Sequence, residues 1–207
     1  MTSQSEPAIK PDATVATPPP EIFPPDEEKQ LLNEATAEKT TANATFTSGE
    51  YTGAIQGYEK ALAVCPTYLE YDIAVLRSNI AACHLKLQEW KQAVESATLA
   101  LDALDRLDPP PPSPSTPSSK NNAEASTGSG GTITEISDTT ELLLSALTRT
   151  HHSINDVHKL RTKALLRRAK ARQQVGGWAS LQAALEDYQA LSTPSSPHAL
   201  SSLAKKP

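Results

Sequence analysis

The stretch GEYTGAIQGYEKALAVCP, residues 49–66, decides the fold. Within it Tyr51, Ala54, Tyr58 and Ala61 recur at steps of three and four, the spacing of one helix face. Pro66 ends that helix, because proline lacks the backbone donor and clashes with the preceding turn. Ser48-Gly49 closes the run before it, where glycine suits a helix C-terminus. Gly53 and Gly57 each cost roughly 1 kcal/mol inside a helix, so a closely packed neighbour is expected to hold the segment. The set returns 39 residues later as Trp90, Ala93, Ala97 and Ala100, and again, at spacings of four and seven, as Ala184, Tyr188 and Leu191. Small residues at these positions let paired helices approach closely. An aromatic opening the second helix of each pair is expected to fill the gap at the turn.

Working outward, the same period predicts helices over 26–47, 51–64, 71–87, 90–107, 138–147, 154–175 and 179–191. Asp138 with Glu141, and Ser153 with Asp156, have the spacing of capping pairs. The 17 prolines punctuate this pattern: seven fall at or before Pro25, six lie between Pro109 and Pro117, and only Pro66 interrupts the span between. The chain therefore divides into a disordered arm (1–25), two repeats (26–107), a Pro/Ser/Gly-rich insert (108–137), an extra helix with a degenerate third repeat (138–193) and a disordered or truncated tail (194–207). The expected fold is all-α, antiparallel hairpins stacked on one another. Nine aromatic residues against 29 alanines fit that packing.

Charge and cysteine content exclude several classes. Nineteen Lys and Arg against 24 Asp and Glu give a net charge of −5, which argues against general nucleic-acid binding. Cys65 and Cys83 are too few for a disulfide framework and read as small core residues. No apolar run reaches membrane-spanning length, and residues 1–25 lack the apolar stretch of a signal peptide, so a cytoplasmic or nuclear protein is expected. His151, His152 and His158 have no Cys or carboxylate at familiar ligand spacing and read as a solvated helix junction. With no phosphate loop or nucleophile motif either, neither enzyme activity, cofactor nor metal is expected.

The pattern resembles the tetratricopeptide repeat, a 34-residue helix–turn–helix unit. Gly49, Tyr51, Ala54, Tyr58, Ala61 and Pro66 carry the resemblance in the first repeat, and Ala81, Trp90, Ala93 and Ala100 in the second. Ala169, Gly176, Trp178 and Ala184 carry it, more loosely, in the third. Cys65-Pro66, the run from Leu76 to Cys83, Lys163 to Ala169 and Ala184 to Tyr188 look like the group of tetratricopeptide repeat protein one and its fungal relatives. That group usually continues into a further C-terminal helix, and the insert before the third repeat is a second departure from it.

In stacked hairpins the leading helices line a concave groove. Lys39 and Asn43 share a face of the first leading helix, Asn79 and Lys86 of the second, Lys163 and Arg167 of the third. Amides and cations in one strip suit a peptide's C-terminal carboxylates. Lys39, Asn43, Asn79, Lys163 and Arg167 are similar to the carboxylate clamp of co-chaperone tetratricopeptide domains, which hold the terminal Glu-Glu-Val-Asp of cytosolic heat-shock chaperones; Lys86 is a secondary candidate. The resemblance thus implies a non-catalytic adaptor. Two alternatives stay open: a scaffold that binds a signalling or GTPase partner through another surface, and RNA contact through the seven bases between Lys159 and Arg172. The same seven could instead balance acids within the fold.

Overall fold

The computed structural model describes residues 23–109 and 138–192. The expected arm and insert therefore lie almost wholly, and the tail entirely, outside the described residues. Seven helices follow one another among the described residues: α1 (Pro25–Thr47), α2 (Tyr51–Val64), α3 (Glu70–Leu87), α4 (Trp90–Leu107), α5 (Asp138–Arg149), α6 (Ile154–Val175) and α7 (Trp178–Ser192). They pair as hairpins α1–α2, α3–α4 and α6–α7, with α2 packed on α3 and α4 on α6. This is the expected all-α stack of a tetratricopeptide-like superhelix.

Local chemistry accounts for the turns. Gly49, with φ of +88°, carries the chain from α1 into α2, and Glu50 N–H donates back to the Thr45 carbonyl at 3.1 Å. At the same offset of 39, Gln88 takes φ of +61° and Glu89 N–H donates to the His84 carbonyl at 2.9 Å. The repeat seen in side chains is thus also a repeat of backbone geometry. At the start of α6 the capping pair forms: Ser153 N–H donates to Asp156 Oδ2 at 3.1 Å, and the Ser153 hydroxyl donates to it at 2.7 Å. Those bonds, with Lys159, hold the Asp156 carboxyl down to about 2.

Packing follows the alanine stripes. Ala54, Ala61, Ala81, Ala93, Ala97 and Ala100 are sealed from solvent, as is Cys83, while Tyr58 is 2 % exposed. Cys65 is buried as well, and burial pushes its thiol up to about 12 and that of Cys83 to about 11. A Cβ on Gly57 would stand 2.8 Å from the Ala42 Cβ, so glycine permits the α1–α2 approach there. Tyr51 fills the first turn, its ring edge-on to Phe46 at 5.3 Å. The third turn departs from expectation. Gly176 and Gly177 both take positive φ, and Trp178 emerges from that turn 83 % exposed instead of filling a gap.

The extra helix α5 closes the end of the stack. Leu143 and Ala146 pack into the core of α1–α3, and Leu143 and Leu147 into that of α3, α4 and α6. Arg149 reaches the buried Glu28 of α1, Nη2 to Oε2 at 2.7 Å, and Tyr68 donates to the same oxygen at 2.7 Å. Burial acts to raise the Glu28 carboxyl, but these donors outweigh it and hold it below its ordinary value. No helix among the described residues is long and apolar enough to cross a membrane.

Candidate functional site

The leading helices α1, α3 and α6 line a cavity of about 750 Å³. Phe46, Leu85, Trp90 and Leu166 supply its apolar wall, and Lys86, Lys163, Arg167 and Lys170 its charge. No carboxylate is among the lining residues. Lys86, Lys163 and Lys170 are exposed and form no ion pair among the described residues. Cations gathered on one wall repel each other, and an anionic ligand relieves that repulsion.

Lys86, Lys163 and Arg167 meet around this cavity, as three adjacent turns of α3 and α6 require. Asn43 and Asn79 stand one turn N-terminal to its lining residues Phe46 and Ala82 on α1 and α3. Lys39 lies one turn further along α1, where its charge acts on Cys65 at the end of α2 and on Asp72 of the next hairpin. Of the six, Lys86, Lys163 and Arg167 line the cavity, whereas Lys39, Asn43 and Asn79 are not among its lining residues and precede it by one to two turns on α1 and α3. Two are anchored from below. Tyr58 of α2 donates its hydroxyl to Asn43 Oδ1 at 2.6 Å, and Arg167 Nη1 donates to the Ser78 carbonyl at 2.7 Å and to the Ser78 hydroxyl. Burial lowers the pKa of the Arg167 guanidinium.

Sequence reasoning missed Lys170, Tyr58 and Ser78 as parts of this site. Lys170 was legible, since it stands three residues after Arg167 and seven after Lys163. Tyr58 and Ser78 belong to the buried stripe and carry no sequence signal of a polar role.

The basic run of α6 divides by face. Arg161 pairs with Asp105 at 3.1 Å and Asp108 at 2.7 Å; Arg168 and Arg172 both grip Asp187 at 2.7 Å. Lys159 pairs with Asp156 at 3.1 Å. Four of the seven therefore balance acids of the same fold, and a continuous basic stripe for RNA is absent from the described residues. The histidines differ from the expected solvated junction. His152 is half-buried, its ring 4.0 Å from that of Tyr71 and its Nε2 4.0 Å from Asp72 Oδ1. His158 Nε2 bonds Asp108 Oδ2 at 3.0 Å; only His151 is exposed. His152 meets Tyr71 and Asp72 where α5 folds back onto α3, and His158 meets Asp108 at the end of α4. No group of three or more His, Cys, Asp or Glu among the described residues could hold a metal ion.

No family model matches the chain. It is similar to mitochondrial import receptor subunit TOM70 of Mus musculus, 36 % identical over 75 residues, which cover 36 % of this chain and 12 % of that protein. The Homo sapiens TOM70 is 37 % identical over 71 residues, 34 % of this chain and 12 % of the receptor subunit. Sperm-associated antigen 1 of Mus musculus is 36 % identical over 77 residues, 37 % of this chain and 8 % of that protein. The chain spans about a tenth of the length of these relatives. The stacked hairpins and their 39-residue repeat of turn geometry are those of a tetratricopeptide-like all-α superhelix.

Proposed function

We propose that the chain is a non-catalytic protein-interaction module, a co-chaperone-like adaptor of the cytoplasm whose groove binds the acidic C-terminal peptide of a heat-shock chaperone. The observation that carries this reading is the cavity edged by Lys86, Lys163, Arg167 and Lys170 without a carboxylate; Asn79, Asn43 and Lys39 precede it on α3 and α1. Cationic side chains and amides neutralise and hydrogen-bond a terminal carboxylate and its acidic neighbours, and the apolar wall accepts an aliphatic side chain between them. By name one of the similar proteins is an import receptor subunit, which agrees with a binding role. The narrower affiliation, with the group of tetratricopeptide repeat protein one, rests on Cys65-Pro66 and the run from Leu76 to Cys83.

Three or four charge-assisted hydrogen bonds at roughly 1.5–3 kcal/mol each, less association costs, give a micromolar complex of about −8 kcal/mol. The test is titration of a labelled peptide ending in Glu-Glu-Val-Asp. Amidating its C-terminus, or combining Lys39→Ala with Arg167→Ala, should weaken binding by about a hundredfold or more. Affinity unchanged by both would sink the reading. A second reading, a scaffold for a signalling or GTPase partner, is favoured by a different feature: Trp178, Leu181 and Leu185, exposed by 83, 47 and 49 %, form an outward stripe on α7. Partner capture that survives the groove substitutions but not Trp178→Ala would select it.

A further inference from the structure

We propose that Tyr58 is a specificity-determining residue of the groove: by donating its hydroxyl proton to Asn43 it ties the amide oxygen to α2 and leaves the donor end of the amide for a ligand, which sets the groove for a carboxylate over a carboxamide. The inference rests on the clamp reading above and deepens it.

A free asparagine offers one acceptor oxygen and two donor protons, and satisfies a carboxylate or an amide equally well. Asn43 is not free. Its Oδ1 accepts from Tyr58 Oη at 2.6 Å, while its side chain is otherwise exposed on the strip shared with Lys39. Tyr58 is 2 % exposed and comes from α2, behind the groove, so it positions Asn43 without touching a ligand. The direction of the hydroxyl proton has its own cause. An amide oxygen accepts and cannot donate, so the proton of the hydroxyl bonded to it points at the Asn43 carbonyl. With Oδ1 tied to the α2 hydroxyl, Nδ2 is the end left for a ligand. A carboxylate offers it two charged acceptor oxygens; a carboxamide offers one neutral oxygen, and the mutual amide pairing that a free asparagine allows is lost.

The test uses the full chain and two labelled peptides ending in Glu-Glu-Val-Asp, one a free acid and one a C-terminal amide. Tyr58→Phe keeps the ring and its packing and removes only the hydroxyl. Free-acid affinity should fall roughly three- to tenfold, the amide should bind as before, and the acid-to-amide ratio should shrink accordingly. Asn43→Ala should give the same ratio, and the double variant should lose no more than either single one. A fall shared equally by both peptides, or an unchanged ratio in Tyr58→Phe, overturns this inference and leaves the clamp standing. No preference for the acid in the unsubstituted chain overturns the clamp reading and this inference together.

Discussion

Where α2 crosses α1, a Cβ on Gly57 would meet the Ala42 Cβ at 2.8 Å, and Ala54, Tyr58 and Ala61 are almost wholly shielded from water. Where α7 meets α6, the buried residues of α7 are Ala184 and Asp187. Asp187 is 3 % exposed and held by Arg168 and Arg172, themselves 17 and 21 % exposed in their side chains. The first hairpin is thus closed by small-residue contact, the third by a charge triad that carries few apolar atoms. Close packing fails when volume changes; a buried ion cluster fails when one partner is removed. Two hairpins with one topology therefore have different weak points.

The largest effect is expected at the triad. Asp187→Ala leaves two arginines facing each other without a counter-charge, and should destabilise the α6–α7 hairpin by about 3 kcal/mol. Thermal unfolding followed by circular dichroism, with hydrogen exchange to localise the loss, is the measurement. Protection in α7 unchanged by the substitution would remove the distinction between the hairpins.

Gly57→Ala probes the other side. The added methyl gains roughly 1 kcal/mol in helix propensity and loses roughly 1–3 kcal/mol by overpacking against Ala42. A net loss of about 1 kcal/mol is expected in denaturant unfolding, with no change in groove binding. A gain in stability would mean that the α1–α2 contact yields, and that close approach is not what holds it.

The smallest effect sharpens the comparison by adding α5, a second element secured by charge. Glu28 has a folded pKa below its ordinary 4.5, so the stability that it contributes is fully present above that value. It is lost as pH falls through the depressed folded value. Amide exchange in residues 141–149 should therefore quicken in acid before that of α2, and Glu28→Gln should abolish the difference. Equal acid sensitivity in the two segments would count against the brace.

This contrast also explains which features were legible beforehand. The period of Tyr51, Ala54, Tyr58 and Ala61 reports a buried face wherever the helix packs, so the hairpins and their limits could be read locally. The Ser153–Asp156 cap spans three residues and was equally local. By contrast Arg149 meets Glu28 across 121 positions and Arg161 meets Asp108 across 53. Nothing in the spacing of α6 distinguishes Arg161, Arg168 and Arg172, spent on internal acids, from Lys163 and Lys170, left facing the groove. Trp178 matched its expected position in sequence, yet two positive-φ glycines carried it outward. The candidate strip was visible as residue types on helix faces. The anchors Tyr58 and Ser78 were not, because their hydroxyls act from within an otherwise apolar stripe.

One consequence follows from the ties at Asp108. Its carboxylate bonds Arg161 at 2.7 Å and His158 at 3.0 Å, and its carbonyl also accepts from Arg161. The last residue of the second hairpin is thereby fastened to the first turns of the third, whatever length of chain runs between them. Doubling a flexible connection adds only about 0.6 kcal/mol of closure entropy. A reporter domain, an affinity tag or a shorter linker introduced between α4 and α5 is therefore expected to leave the α4–α6 junction, and the groove beyond it, assembled as before.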